Sequence, residues 1–406
     1  MAYSLFPAPP DAPTAGDQSR RFGLFCAALV VVAHTACDGA SKPPPGSHPD
    51  GGSNKPTTGP TTGPKTVDAI LGQPVTFRPE LELTDVEFAG GRFVAVGAKG
   101  TLDVTDQTGY ALGGRALVLT SVDGQRWTEV WAGDSSILDG VAFSDGHWMA
   151  VGGRLWTWLE VGQVVSQTTR GDMVVVSDDG ETWGATASTP PQGLTAVVPG
   201  GSGFIALAPG AAVSAGLSTE GLVWTSRPVP PASYGFQSLV GSQGVLLAFS
   251  FVGEVVRSTD DGQTWAVVEM PTEVGGGRDN IEALWATAEG WAGTSQYGGR
   301  FYLDLTSTDG ATWTRVRREG SDRALAPLQV VRGAGVELRR VRAPGGDGVE
   351  VAAPDGSWTR TLTAPLGDRL AGLAYGNGVF VAVGLRNLHW SADGQTWTAG
   401  AVVTGP

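Results

Sequence analysis

The sequence predicts an all-β chain closed into a seven-bladed β-propeller of four-stranded antiparallel blades, and three observations carry that prediction. A signature of the form Ser-x-Asp-Gly-x-Thr-Trp recurs along the chain in five near-complete and two degraded copies. Its glycines, from Gly124 to Gly394, fall at a mean interval of 45 residues. That period suits a four-stranded blade and is too long for most helical or leucine-rich repeats. Composition agrees: 61 glycines, 26 prolines and 14 tryptophans, with only 17% charged residues, fit short strands joined by tight turns rather than amphipathic helices.

The elements follow in chain order. Arg20 and Arg21 precede an apolar run from Phe22 to Ala33, the order of a secretory signal, and about a dozen apolar residues are too few to span a bilayer. The run ends in Thr35-Ala36-Cys37, which resembles the lipobox of bacterial lipoproteins and makes Cys37 the expected lipid attachment site after cleavage of residues 1–36. His34 departs from the branched aliphatic residue usual in that pattern. Residues 37–65 then form a Pro-, Gly- and Thr-rich tether with almost no apolar side chains to bury, a composition that cannot build a core. Residues 66–83 are an N-terminal extension, and residues 84–406 hold the blades.

Each blade is expected to place two strands ahead of its signature, as in Asp85–Phe88 with Arg92–Gly97, Val141–Phe143 with Trp148–Gly152, and Leu373–Tyr375 with Phe380–Gly384. These runs read as apolar on both faces, as strands sandwiched between neighbouring blades should. The twelve residues after Gly394 suffice for one last strand, and Val75-Thr76-Phe77 is a candidate for closing the ring by pairing onto the last blade.

Within the signature, the aspartates Asp123, Asp179, Asp261, Asp309 and Asp393 are assigned a structural role, because a carboxylate beside a Ser or Thr and a Gly of positive φ organises a turn, and Trp starts the next strand with a large apolar face. The signature resembles the Asp box, or BNR repeat, of sialidase-like propellers, over residues 84–403. The resemblance specifies the fold and leaves the activity open. Sialidases of that superfamily carry a Phe/Tyr-Arg-Ile-Pro element; Phe77-Arg78-Pro79 is similar but lacks the Ile and lies ahead of the first blade.

Charge and rare residues exclude several functions. A net charge of -13 counts against nucleic-acid binding. Both cysteines, Cys26 and Cys37, precede the blades, and only His147 and His389 of the four histidines lie within them, so no metal or other cofactor is expected.

Function is expected on the face opposite the signature turns, where the connections after the second strand are longest in blades one and two. These insertions carry Tyr110, Trp156 and Trp158, aromatic candidates for stacking on a sugar or anchoring a protein. Eight arginines between Arg315 and Arg342 form a second cationic feature, expected at a solvated outer edge. No catalytic residues are assigned. The leading expectation is a non-catalytic scaffold, lipid-anchored in the bacterial cell envelope, that binds a glycan or protein; a glycoside hydrolase is the alternative, distinguished by two carboxylates converging at the mouth of the ring.

Overall fold

The computed structural model describes residues 81–99, 114–155, 169–186, 190–191, 193–201, 203–208, 211–218, 221–233, 235–236, 238–271, 280–297, 301–317, 325–343, 346–365 and 368–403. Every regular element among them is a strand. The first sheet holds β1 (Leu81–Ala89), β2 (Arg92–Lys99), β3 (Gly114–Ser121) and β4 (Arg126–Ser136). The second holds β5 (Leu138–Ser144), β6 (His147–Leu155), β7 (Thr169–Ser177) and β8 (Gly184–Ala185). The third comprises β9 (Ala196–Gly200), β10 (Gly203–Ala208), β11 (Ala211–Ser218) and β12 (Gly221–Pro228). The fourth comprises β13 (Ser238–Ser242), β14 (Val245–Phe249), β15 (Val255–Ser258) and β16 (Ala266–Val268). In the fifth are β17 (Asn280–Thr287), β18 (Gly290–Tyr297), β19 (Phe301–Ser307) and β20 (Thr314–Arg317). The sixth has β21 (Ala326–Gly333), β22 (Val336–Arg342), β23 (Gly348–Ala352) and β24 (Trp358–Thr363). The seventh has β25 (Leu370–Gly376), β26 (Val379–Gly384), β27 (Asn387–Ser391) and β28 (Thr398–Ala399).

Six of these sheets are four-stranded antiparallel blades. The first departs from the expected uniform pattern: it takes a fifth strand, β29 (Ala401–Val403), which runs parallel to β4 with Val402 opposite Trp127. The chain after Gly394 therefore supplies two strands, not one. The physical reason is an open edge: β4 is the outermost strand of its sheet, and the C-terminal residues satisfy part of its backbone, with Ala401 N–H donating to Gln125 O at 2.9 Å. The expected closing segment, residues 75–77, lies outside the described residues. The seventh and first sheets are joined a second time by a bridge between Glu82 and Leu385 and by Arg386 N–H donating to Leu81 O at 2.8 Å.

The first strand of each sheet contacts that of the next in chain order, and β25 contacts β1, so these strands form the inner wall of a ring. Side chains alternate between the two neighbours. Phe93 and Ala95 of β2 pack with Val379, Val381 and Val383 of the seventh sheet, whereas Val94 and Val96 pack with Val141, Trp148 and Ala150 of the second. That alternation is why the second strands read as apolar on both faces.

A glycine ends this apolar run in three sheets because the inner strand bulges against it. A Cβ on Gly97, Gly152 or Gly384 would fall 2.0, 2.3 or 1.8 Å from the carbonyl oxygen of Glu82, Ile137 or Arg369, closer than any side chain tolerates. In each case the inner strand shifts register at the next residues, between Leu83 and Asp85, Leu138 and Gly140, and Leu370 and Gly372.

Candidate functional site

Tyr110, Trp156, Trp158 and Cys37 lie outside the described residues. The strands that flank the insertions are described: β2 ends at Lys99 and β6 at Leu155, on the side of the ring opposite the signature turns.

The signature aspartates are occupied by their own turns. Asp123 Oδ1 accepts the N–H groups of Gln125 (2.8 Å) and Arg126 (2.9 Å) and the Ser121 hydroxyl (3.1 Å), while Ser121 Oγ accepts the N–H of Gly124, which has φ +69°. Asp179, Asp309 and Asp393 repeat the pattern. Hydrogen bonds from the Thr182 and Glu181 N–H groups hold the Asp179 carboxyl down at about 2, so it stays ionised and acceptor-only.

Asp261 does not share this arrangement, and the expected assignment is corrected to Asp260. The fourth-sheet turn is one residue longer: Ser258, not Thr259, supplies the leading hydroxyl, and Gly262 N–H reaches it across four positions. Asp260 accepts from Ser258 Oγ (2.8 Å), Thr264 N (2.9 Å) and Thr264 Oγ1 (2.5 Å). Asp261, at φ +59°, turns outward and accepts the Gly201 N–H of the third sheet at 2.7 Å. Similar ties join other neighbours across this face, including Asn377 Nδ2 to Gly91 O and Val122 O, and Arg92 to Glu181. The signature face is thereby committed to architecture.

The inner wall carries charge that the sequence reading treated as apolar strand. Asp85 and Glu87, two positions apart on β1, share one side of it. Asp85 Oδ1 accepts Val86 N–H at 2.9 Å and Oδ2 accepts Val141 N–H of the second sheet at 3.1 Å, yet burial outweighs these bonds and raises its pKa. Burial, reinforced by the charge of Asp85, pushes Glu87 up to about 8. Arg340 of β22 donates from Nη1 to Leu370 O at 2.8 Å; burial lowers its guanidinium to about 10, against the opposing pull of Asp347. The signal that would have found this group was present: charged residues alternating in an innermost strand, Asp85-Val86-Glu87.

Part of the arginine-rich stretch departs from the expected outer edge: Arg339, Arg340 and Arg342 lie on the second strand of the sixth sheet, while Arg315 and Arg317 do lie on β20, the outermost strand of the fifth. Arg342 pairs with Glu282 of β17 at 2.6 Å. Arg339 pairs with the buried Glu350 at 2.7 Å and lies 4.2 Å over the Trp358 ring, and Arg360 reaches the same carboxylate. Arg332 pairs with Glu337. Arg339, Arg340 and Arg342 stand on the inner half of the sixth sheet because β22 is its second strand, a position visible only once strands are ordered.

A cleft of about 180 Å³ opens between the fourth and fifth sheets. Val255, Val256 and Val268 form one wall and Ile281, Ser295 and Leu305 the other. Nothing in the repeat pattern marked it in advance.

No family model matches the chain, and no curated protein sequence matches it. Solved structures do. One described as YCF48 bound to D1 peptide has a TM-score of 0.50 at 14% identity, covering 78% of this chain and 94% of that one. A virginiamycin B lyase from Staphylococcus aureus with quinupristin gives 0.49 at 10% identity, covering 78% and 98%. YCF48 from Cyanidioschyzon merolae gives 0.43 at 18%, covering 65% and 84%. At such identities the likeness concerns the fold alone: the chain is a β-propeller.

Proposed function

We propose that this chain is a seven-bladed propeller of the Asp-box kind that acts as a non-catalytic binding or assembly scaffold, lipid-anchored through Cys37 in the cell envelope, with a protein partner on its loop face. The observation that carries the reading is the use of the charged groups. The signature aspartates of the first, second, fourth, fifth and seventh sheets, and Asp85, each spend their oxygens on backbone or hydroxyl donors within the fold. The described concavity between sheets joins valine, isoleucine and leucine side chains to Ser295, Glu254 and Glu269. Such a wall, apolar side chains beside carboxylates, suits a peptide that carries both an apolar and a cationic side chain. The binding of a peptide by the YCF48 structure is compatible with this use of the fold.

Asp85 and Glu87 favour glycoside hydrolysis as the second reading, since two positions along a strand separate their backbones by roughly 6.6 Å and Glu87 keeps a proton at neutral pH. The mature protein, purified from membranes, is to be analysed at its N-terminus by mass spectrometry and assayed on a glycan array, in a polysaccharide hydrolysis screen and by cross-linking in cells. The scaffold reading expects a diacylglyceryl-modified Cys37, a cross-linked protein weakened by Trp156→Ala with Trp158→Ala, and no sugar release. Sugar release abolished by Glu87→Gln would replace it with the hydrolase.

A further inference from the structure

The cleft between the fourth and fifth sheets is lined by Ser295, a serine at the register of an inner-strand bulge. Ser295 occupies in the fifth sheet the register that Gly97, Gly152 and Gly384 hold in theirs: it pairs with Ile281, ahead of the shift between Ile281 and Ala283, as Gly97 pairs with Leu83 ahead of the shift between Leu83 and Asp85. At the glycines the preceding carbonyl lies where a Cβ would stand. At this register the fifth sheet carries Ser295 and the sixth carries Val341, paired with Pro327 ahead of the shift between Pro327 and Gln329. The start of β17 is held toward the fourth sheet, with Ile281 N–H donating to Phe251 O at 3.1 Å. The cleft lies beside Ser295.

Ser295 is 1% exposed, lines this cleft, and its hydroxyl meets no hydrogen-bond partner among the described residues. An unmatched buried hydroxyl is costly, on the order of 1–3 kcal/mol, and is uncommon where nothing uses it. Val255, Val256, Val268, Ile281 and Leu305 make the apolar part of the wall, and Glu254 and Glu269 add carboxylates. Glu269 is exposed at the end of β16, and Glu254 sits below it, accepting from Ser233 and Ser250. Val267, 62% exposed, and Phe251, 37% exposed, extend the apolar surface outward.

We propose that this cleft is an anchor pocket for one apolar side chain of a peptide partner, seated against Val255 and Leu305, with a cationic neighbour held by Glu269. The inference rests on the reading of the chain as a protein-binding scaffold and names the partner chemistry. Size sets the first requirement, because about 180 Å³ accommodates a group of roughly benzene size, not an acyl chain or a sugar oligomer. Charge sets the second: a protein of net charge -13, with a carboxylate on the rim, attracts a basic segment.

The test titrates the full mature protein with three tripeptide amides, acetyl-Lys-Phe-Lys, acetyl-Glu-Phe-Glu and acetyl-Lys-Ser-Lys, followed by saturation-transfer NMR. The first should bind, with the phenyl protons receiving the strongest transfer, and the other two should bind at least roughly tenfold more weakly. Ser295→Leu, which fills the pocket, should abolish phenyl transfer. Glu269→Lys changes only an exposed side chain, so it separates loss of binding from loss of fold and should weaken the first peptide by a similar factor. Equal binding of the first peptide to wild type and Glu269→Lys, or undiminished phenyl transfer in a folded Ser295→Leu, overturns the pocket. A protein cross-linked in cells that is indifferent to both substitutions leaves the scaffold reading standing and sinks the pocket alone, whereas peptide binding with sugar release in the hydrolysis screen sinks the scaffold and leaves the pocket.

Discussion

Asp85 Oδ2 accepts the N–H of Val141 at 3.1 Å, joining the inner strand of the first sheet to that of the second. Gln329 does the same from the sixth sheet to the seventh, accepting Leu373 N–H at 3.0 Å and donating to Leu373 O at 2.8 Å. Both residues follow the bulge of their inner strand, so one position of the repeat serves as a strut between neighbours. Burial raises the pKa of the acid, whereas the amide has no charge to desolvate. Asp85→Ala leaves the amides of Val86 and Val141 without these acceptors, and urea denaturation should show a loss of about 2–4 kcal/mol. An unchanged midpoint would mean that the strut is dispensable.

Glu87 makes stability depend on pH. Its carboxyl ionises near the ordinary 4.5 in the unfolded chain and near 8 in the fold, so between those values the folded state holds the extra proton. Stability is therefore fully present below about 4.5 and declines as pH rises toward 8. Denaturation midpoints measured from pH 5 to pH 8 should fall for the wild type and fall less steeply for Glu87→Gln. Parallel slopes for the two proteins would refute the assignment.

The signature tryptophans should not be equivalent. Trp127 is fully buried and donates from Nε1 to Gly124 O at 3.0 Å, whereas Trp265 and Trp397 are half-buried. Trp127→Ala should cost about 3–5 kcal/mol and Trp397→Ala distinctly less. Thermal melts of the two variants, run side by side, give the order.

Closure of the ring by β29 predicts a local effect of truncation. Removing residues 401–406 should expose the edge of β4, and hydrogen exchange should quicken at the β4 amides that face β29 within Arg126–Thr128, while the amides of β2 stay protected. Unaltered exchange along β4 would show that β29 does not hold the ring.

The repeat was legible in the sequence because its parts are local. A Ser, an Asp and a Gly within four residues close a turn by themselves, and the tryptophan follows at a set distance, so the four-stranded repeat and its strand order could be read from spacing. The Asp261 assignment failed for an equally local reason. Asp260 and Asp261 are adjacent, and only the hydrogen bonds of the longer turn show which carboxylate faces inward. The expected binding aromatics Tyr110, Trp156 and Trp158 stand outside the described residues, and no signature residue marks the cleft beside Ser295.

From the sequence alone come the all-β class, the repeated turn with its aspartates, the apolar second strands and the glycines that end them. All follow from interactions between residues close along the chain, or from a burial pattern that strand periodicity imposes. Tertiary structure decided what depends on partners far apart in sequence: that Ala401–Val403 crosses to β4, that Arg340 and Arg342 reach Leu370 and Glu282 of the neighbouring sheets, that Asp85 reaches Val141, and that Ser295 lines a cleft between two sheets. Desolvation and ring closure set these, and both arise only when the sheets are assembled side by side.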